Sequence, residues 1–366
     1  MTRALVFGMS ADKFGGIESF LLNMNRHMKD CVFDYVVGGE TCIYEDAVKK
    51  QGGTVFTLTP YSKNPIKHFH QLRRTIKQNR KTHKTAYFNL FSMVHMIPVW
   101  LCRIYGYKIV FHSHNGNTPI EKGLYRTLHN IFRKTWGKKK SITRLTCSPA
   151  AAEFMFGSGK GREATMIYNA VETERFLFSP EKRKDIRDAL EISEKKVIGF
   201  VGRLAIQKNP LFLIEIFEKI AGRDEDCVLL MIGGGEMKDE IAALTEKKNL
   251  GSRVIMLPPQ NNIEDYYCAM DAFLLPSLFE GLPVVLVETQ CSGLPAITSS
   301  EAVPGLACVS DGMIEFESLR SGADKWAEHT LKLLEKNPDR AQWNRIVSGS
   351  RFDIDAEAKK LEKFLR

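Results

Sequence analysis

The feature that most constrains the fold is a regular alternation of short apolar runs with helix-length amphipathic segments along the whole chain. Strands separated by helix-length segments form βαβ units, which build parallel sheets with helices on both faces. The sequence therefore predicts an α/β fold. The strand-like runs include RALVFGMS, FDYVVGG and KIVFHSH in the first half, and KVIGFVGR, CVLLMIGGG and AFLLPS in the second.

A charged, Pro-containing segment at 172–194 separates the two series of strands. We therefore predict two doubly wound domains, 1–171 and 172–345, followed by a C-terminal helix at 346–366. Ligands of open parallel sheets bind beyond the carboxyl ends of the strands, and two such domains can form a cleft. Residues that directly follow strands are the candidates for chemistry.

The predicted location is cytoplasmic. The eight cysteines are scattered without CxxC or zinc-type spacing, which is typical of reduced thiols in a cytosolic protein. The N-terminus lacks the long apolar region and cleavage site of a signal peptide, and no apolar run approaches the ~20 residues that span a bilayer.

Two strand ends in the second half carry candidates for anion binding. FVGRLAIQKNP contains Gly202, which permits a tight turn, and Arg203 and Lys208, whose side chains could converge on one anionic group. MIGGGE contains Gly234 before a helix, where backbone amides and the helix N-terminus favour an anion. A solvated basic loop and ordinary turn glycines are the alternative interpretations.

EGLPVVLVE, residues 280–288, begins and ends with a carboxylate around an apolar run. We place Glu280 in a loop that Gly281 makes adaptable, Pro283 at the first helical position, and Glu288 in the second helical turn. An acidic residue near a helix N-terminus is favoured by the helix dipole, which could explain Glu280 alone. That alternative does not explain Glu288, because a carboxylate in an apolar helix needs a partner.

In the first half, GGIESF places Gly15 and Gly16 between the opening strand and a helix, where the backbone can approach a ligand. KIVFHSHN ends a strand with His112 and His114, which strand alternation puts on the same side. A structural role is the alternative for either histidine.

Taken together, these motifs resemble the retaining glycosyltransferases of family 4, which have the GT-B fold. The resemblance continues through CSPAAAEFMFG at 147–157 and IYNAVETERF at 167–176, and it is nearest to the capsular and exopolysaccharide branch. It implies two Rossmann-like domains, the first for the acceptor and the second for a nucleotide sugar. It also implies that the C-terminal helix returns to the first domain.

By position, the resemblance implies that Arg203 and Lys208 neutralise the donor diphosphate, Glu280 holds the donor sugar and Glu288 holds the ribose. His114 falls at a position that contacts the donor sugar, with His112 as the alternative. The remaining candidates for donor binding are Gly15, Gly16, Gly202, Gly234, Gly281, Leu282 and Pro283, with Asn169 as a further possibility.

The implied reaction moves a hexosyl or N-acetylhexosaminyl group from a nucleotide-diphosphate sugar, such as a UDP-sugar, to a lipid-linked glycan, with retention. We expect no metal cofactor. A metal-dependent GT-A enzyme needs an Asp-x-Asp motif after a strand, whereas the pair Asp224/Asp226 precedes a strand and Asp353/Asp355 begins the last helix.

The net charge of +9 is unevenly distributed, since residues 47–152 contain twenty Lys or Arg and one acid, Glu121. The acid-free segments 63–84 and 122–144 predict binding to an anionic membrane, and 122–144 has aromatic residues at helical spacing. Core packing is the alternative for that apolar stripe. The implied acceptor is a polyprenyl pyrophosphate glycan, so we expect a peripheral enzyme on the cytoplasmic face of the membrane.

Two other functions compete with this interpretation. A basic nucleic-acid-binding protein would have no use for Glu280 and Glu288, and no helix-turn-helix, zinc-finger or RRM motif is present, so we expect no nucleic-acid partner. A nucleotide-sugar enzyme of GT-B shape that acts without an acceptor, such as a UDP-sugar 2-epimerase, is the nearer alternative.

Overall fold

A computed structural model describes the chain apart from the side chain of Lys160 and a few residues, namely Phe14, 115–122, Lys138, Arg162, Gly281 and Asn337. The described chain divides into two compact units. The first contains Met1–Ala170 together with Ile354–Arg366, and the second contains Val171–Asp353.

The first unit is built on a seven-stranded parallel sheet with the order β3-β2-β1-β4-β5-β6-β7. Its central strands are buried on both faces, as expected for a parallel sheet covered by helices. The strands are β1 (Thr2–Phe7), β2 (Cys31–Gly38), β3 (Val55–Leu58), β4 (His83–Leu90), β5 (Lys108–Ser113), β6 (Ile142–Thr146) and β7 (Thr165–Met166).

Helices cover this sheet on both faces. They are α1 (Gly16–His27), α2 (Glu45–Lys50), α3 (Pro65–Asn79), α4 (Ile97–Ile104), α5 (Leu124–Thr135) and α6 (Pro149–Gly161), which bends at Gly157. Apolar residues of α1 and α2 join one core cluster, whereas those of α3, α4, α5 and α6 join another. The helices α3, α4 and α5 therefore lie side by side on one face of the sheet.

The second unit has a six-stranded parallel sheet with the order β10-β9-β8-β11-β12-β13. Its strands are β8 (Lys196–Val201), β9 (Cys227–Ile232), β10 (Val254–Leu257), β11 (Ala272–Leu275), β12 (Ala296–Ser299) and β13 (Ile314–Glu317). Its helices are α7 (Pro180–Ala189), α8 (Pro210–Ala221), α9 (Lys238–Lys247), α10 (Ile263–Ala269), α11 (Val284–Cys291), α12 (Ala323–Leu334) and α13 (Arg340–Ser348).

The last helix, α14 (Ile354–Leu365), belongs to the first unit and packs against α1. Its Leu361 and Leu365 are fully buried, and the Glu362 carboxylate accepts hydrogen bonds from the backbone N–H groups of Asp30 (2.7 Å) and Cys31 (3.0 Å). Residues 346–353 stay with the second unit, so the predicted C-terminal segment is divided between the two units. The α/β class predicted from the alternating pattern is confirmed.

Candidate active site

The candidate residues of the second unit follow three strands whose carboxyl ends lie at one edge of the sheet. Strand β8 pairs with both β9 and β11, so the loops after these strands are neighbours. They contain residues 202–208, 233–236 and 276–283, respectively. This is the edge at which open parallel sheets bind ligands.

Lys208 and Glu280 form an ion pair at this edge. Lys208 Nζ donates to Glu280 Oε1 at 2.5 Å, and the two side chains are only 15% and 6% exposed. The same carboxylate oxygen accepts a hydrogen bond from the buried Ser277 hydroxyl at 2.7 Å, and Gln207 Nε2 approaches Oε2 at 3.4 Å. Glu280 is therefore held in one orientation by three side chains from two loops.

Arg203 lies in a separate ion pair. Its guanidinium donates to Glu236 Oε2 at 3.0 Å, and both side chains are more than half exposed. Arg203 and Lys208 thus pair with different carboxylates. An exposed pair of this kind contributes little to stability, about 0–1 kcal/mol, so Arg203 can change partner at low cost.

The three glycines after β9 have different environments. A Cβ at Gly233, whose φ is +155°, would lie 1.9 Å from the Gly202 carbonyl oxygen, and one at Gly235 would lie 2.3 Å from that of Leu204. A Cβ at Gly234 would meet only Pro259, at an ordinary 3.6 Å. The absence of a side chain at Gly233 and Gly235 therefore allows the loops after β8 and β9 to contact each other. At Gly234 the packing does not require glycine.

Glu288 lies in the second turn of α11, as predicted, and has a partner that the sequence did not reveal. The buried Tyr267 hydroxyl donates to Glu288 Oε2 at 2.7 Å. Burial raises the pKa of the Glu288 carboxyl, and the hydrogen bond from Tyr267 and the charge of Arg175 partly oppose this increase in pKa. Burial also raises the pKa of Tyr267 well above its usual value, so this hydroxyl remains a donor.

The start of α11 differs from the prediction by one residue. Pro283 has φ −70° and ψ 117°, which is extended, and the helix begins at Val284. Pro283 therefore flanks the helix instead of opening it, because its ψ turns the chain away from helical geometry. Leu282 is buried, and Gly281 lies outside the described residues.

In the first unit, the two predicted histidines are adjacent at the end of β5. Their ring centroids are 4.0 Å apart, and Phe20 of α1 packs edge-on against both rings. His112 is fully buried, with Nδ1 hydrogen-bonded to the Tyr87 hydroxyl at 2.5 Å. Among the described residues, His112 Nε2 has no hydrogen-bond partner.

His114 follows the strand and is partly exposed, with Nε2 2.8 Å from Asn89 Oδ1. Because an amide oxygen only accepts, His114 Nε2 carries the proton in this arrangement. Burial lowers the pKa of His114 to about 3, and burial together with the neighbouring ring lowers the pKa of His112 well below its usual value. Both imidazoles are therefore neutral at physiological pH.

Gly15 and Gly16 lie at the start of α1, as predicted, beside an acidic residue. The buried carboxylate of Glu18 accepts a hydrogen bond from the Ser10 N–H at 2.8 Å, and a Cβ at Gly15 would lie 2.6 Å from Glu18 Oε2. A Cβ at Gly16 would meet nothing within 4 Å, so backbone at this point is open to approach. Asn169 is buried near the end of the first unit.

Sequence reasoning missed the side chains that orient the candidates, namely Ser277, Gln207, Tyr267, Tyr87, Asn89 and Glu18. The sequence does indicate a role for Ser277, which lies just after a buried strand and three positions before Glu280. A buried polar residue at this place needs a hydrogen-bond partner. The sequence indicates no such role for Tyr267, since it lies on α10 and meets Glu288 only through tertiary packing.

The predicted membrane segments correspond to α3 and α5, with Lys122 and Lys138 outside the described residues. The apolar stripe of α5 is not simply core, since Leu124, Tyr125 and Ile131 are 71%, 55% and 49% exposed. Within the described part of the chain, no helix is both long and apolar enough to cross a bilayer.

Three of the four aspartates considered as metal ligands contact basic side chains. Asp224 and Asp226 precede β9 and bind Lys196 and Lys195, each at 2.8 Å. Asp355 lies 2.8 Å from His27 Nδ1 in the first unit. Independence of metal stays a prediction.

Two parallel-sheet Rossmann-like units of this kind define the GT-B fold, and comparison with solved structures agrees. HepE from Anabaena, solved in complex with UDP and glucose, superposes with a TM-score of 0.83 at 18% identity, covering 100% of this chain and 99% of HepE. At this identity the likeness concerns the fold alone.

Sequence comparisons add the class of enzyme. Residues 181–347 match the family model described as Glycosyl transferases group 1. The chain is 27% identical to the putative glycosyltransferase EpsF of Bacillus subtilis (strain 168), covering 86% of this chain and 83% of EpsF. It is 31% identical to the UDP-Gal:alpha-D-GlcNAc-diphosphoundecaprenol alpha-1,3-galactosyltransferase of Escherichia coli, covering 54% of this chain and 52% of that enzyme. The protein is therefore an enzyme of the glycosyltransferase class.

Proposed function

We propose that the enzyme is a retaining glycosyltransferase of family 4 that moves a hexosyl or N-acetylhexosaminyl group from a UDP-sugar to a lipid-linked glycan. The observation that carries the proposal is the largely buried Lys208–Glu280 ion pair, in the loops at the carboxyl edge of the second sheet. The UDP and glucose of HepE and the diphosphoundecaprenol substrate in the name of the E. coli relative support the donor and acceptor classes. A role in exopolysaccharide or capsule synthesis is also part of this proposal, and it is supported by the sequence motifs that resemble that branch of the family.

In this proposal each charged group of the second unit has a separate task. Lys208 and the exposed Arg203 bind the diphosphate and stabilise its charge as the sugar departs. Glu280, oriented by Ser277, accepts hydrogen bonds from sugar hydroxyls, and Glu288, oriented by Tyr267, accepts them from the ribose. Backbone amides near Gly202 and Gly234 supply further donors to the phosphates.

The proposed chemistry needs no protein nucleophile. The leaving phosphate oxygen takes the proton of the acceptor hydroxyl on the same face of the sugar, so the anomeric configuration is retained. The first unit binds the acceptor, with Gly15 and Gly16 near the reacting groups. His114, which is neutral and has one ring nitrogen on Asn89, contributes a hydrogen bond to the donor sugar. His112 is the alternative histidine for that contact.

We further propose that the enzyme works as a peripheral protein on the cytoplasmic face of an anionic membrane, where its polyprenyl pyrophosphate acceptor lies. The acid-free segments 63–84 and 122–144 supply the basic contacts.

The test is a screen of nucleotide sugars by thermal shift, followed by transfer to a polyprenyl-diphosphate sugar. A ligand at a hundred times its Kd stabilises the native state by about 2.7 kcal/mol, so a UDP-sugar should raise the melting temperature. Proton NMR of the new linkage reports the anomeric configuration. We expect transfer to persist in EDTA, and loss that manganese restores would contradict metal independence. Consumption of the donor without an acceptor would instead favour an epimerase-type activity.

A further inference from the structure

Helix α4 presents an apolar row to solvent. Ile97, Trp100 and Ile104 recur at helical spacing and are 49%, 53% and 57% exposed, whereas Val99 and Cys102 on the opposite side are fully buried in the core. Large apolar side chains that are exposed together, rather than singly, mark an interaction surface. This row lies outside both basic segments and was not part of the predicted membrane contact.

The neighbouring helix α5 extends this apolar surface with Leu124, Tyr125 and Ile131. The six exposed residues of α4 and α5 are called the α4–α5 ridge here. The two helices are linked by Trp136, whose ring lies under the guanidinium of Arg103 (5.7 Å) and the ammonium of Lys139 (4.4 Å). Trp100, Ile104 and these three residues line an open cavity of about 370 Å³.

The surroundings of the ridge are strongly basic. Helices α3, α4 and α5 contain eight Lys or Arg and no Asp or Glu. The side chains of Arg73, Arg74 and Lys77 on α3, and that of Lys81 just after it, line a second open cavity of about 540 Å³. By contrast, α1, α2 and α14 on the other face of the sheet each carry equal numbers of acidic and basic residues. Positive charge is therefore concentrated on the face that bears the ridge.

The position of the ridge relates it to the candidate site of the first unit. Helices α4 and α5 begin after β4 and β5, so Ile97, Leu124 and Tyr125 lie towards the carboxyl edge of the sheet. His112 lies near the end of β5 and His114 directly follows this strand, at the same edge. A partner that binds the ridge would therefore also lie near this edge of the sheet.

We propose that the α4–α5 ridge inserts into the interfacial layer of an anionic bilayer while the cations of α3, α4 and α5 bind lipid headgroups. Apolar and aromatic side chains among Lys and Arg are the combination that such a layer favours. A second copy of this chain would bind the ridge less well than a bilayer, because pairing two of these basic faces would bring positive charges together. This inference rests on the proposed membrane association and adds insertion by α4 to it.

The experiment measures flotation of the full-length protein with vesicles of phosphatidylcholine containing roughly a third phosphatidylglycerol, at low salt and at about 0.5 M NaCl. The test variant is Ile97→Ser/Trp100→Ser/Ile104→Ser, which leaves every charge in place. The matched control is Ile43→Ser/Leu177→Ser/Ile346→Ser, three apolar residues that are 49%, 45% and 40% exposed elsewhere. Circular dichroism melting checks that each variant is folded.

Wild type and control should bind and keep part of their binding at high salt, because insertion is not screened. The test variant should bind at least about tenfold more weakly and lose the remainder at high salt. Brominated lipid should quench the tryptophan fluorescence of wild type more than that of Trp100→Phe. Binding of the test variant equal to wild type, or a wild-type dimer in the absence of lipid that the test variant abolishes, would overturn the proposal.

The enzymatic proposal is tested separately, because UDP-sugar binding to the test variant in solution should equal that of wild type. Vesicle binding through the ridge without any nucleotide-sugar binding would refute the proposed function and leave the inserted surface standing.

Discussion

The hydroxyl of Tyr267 donates a 2.7 Å hydrogen bond to one carboxylate oxygen of Glu288, across the contact between α10 and α11. Burial raises the pKa of Glu288, and the Tyr267 hydrogen bond is the first of the effects that oppose this. The tyrosine therefore helps to keep Glu288 ionised.

We predict that Tyr267→Phe weakens UDP binding by at least about tenfold at pH 7, the effect of losing one hydrogen bond to a charged group, about 1.5–3 kcal/mol. Since the pKa of Glu288 is raised, its carboxylate is lost at a higher pH than an ordinary glutamate as the solution is acidified. The substitution raises this pKa further, so the acid-side loss of affinity should move to higher pH. Isothermal titration calorimetry from pH 8 to pH 5 measures both effects.

Tyr266→Phe is the matched control, because the Tyr266 hydroxyl lies on the same helix and only approaches Gln260 at 3.4 Å. An identical pH profile for wild type and Tyr267→Phe would refute the assigned role of Tyr267.

The Lys208–Glu280 pair gives a second prediction. Lys208→Ala and Glu280→Ala should each reduce transfer by at least about a hundredfold while the protein stays folded, because each removes a charged side chain that binds the donor. Removing one partner leaves the other charge buried, so each single variant should be less stable than wild type. The double variant should be less destabilised than the sum of the two, with a coupling of about 1–3 kcal/mol. Denaturant melts measure the cycle, and near-normal turnover in either single variant would remove these residues from the site.

The glycines after β9 give a third prediction, on stability alone. Gly233→Ala and Gly235→Ala should each destabilise the protein by about 2–3 kcal/mol, because a Cβ would enter the backbone of the neighbouring loop. Gly234→Ala should change the free energy of unfolding by less than about 0.5 kcal/mol, since its Cβ would have room. Equal losses at the three positions would contradict this division.

The two histidines at the end of β5 predict an acid-sensitive first unit. His112 and His114 are neutral when folded, with the pKa of His114 lowered to about 3, but they gain protons near pH 6.5 when unfolded. Protonation therefore favours the unfolded chain, and stability is lost as the pH falls below 6.5. Between pH 7 and pH 5 each such histidine costs about 2 kcal/mol. The pH dependence of the melt should be shallower in His114→Asn and unchanged in His95→Asn, whose histidine is exposed.

The fold and part of the candidate site could be predicted because their signals are local. Strand and helix periodicities differ along the chain, so their alternation identifies parallel sheets. Glu280 and Lys208 were recognised through motifs, and the structure brings them together at 2.5 Å. The start of α11 was predicted one residue early, because proline favours both the first helical position and the extended conformation that Pro283 adopts.

The side-chain contacts that could not be predicted from the sequence depend on which elements pack together. Tyr267 meets Glu288 across two helices, and Arg203 meets Glu236 across two loops, although their separations in sequence indicate neither contact. The apolar run around Trp100 is too short to span a membrane, and its sequence indicates nothing further. Which of its side chains face solvent depends on how α4 lies on the sheet.

The uneven charge of the first unit has a consequence before any contact is made. The helices on one face of its sheet carry no net charge, and α3, α4 and α5 on the other carry eight cations without an acid. This separation gives the unit an electric dipole directed across the sheet. Near a negatively charged surface, a dipole experiences a torque within about one Debye length, ~8–10 Å at physiological salt. The enzyme would therefore arrive with its basic face already turned towards the lipid.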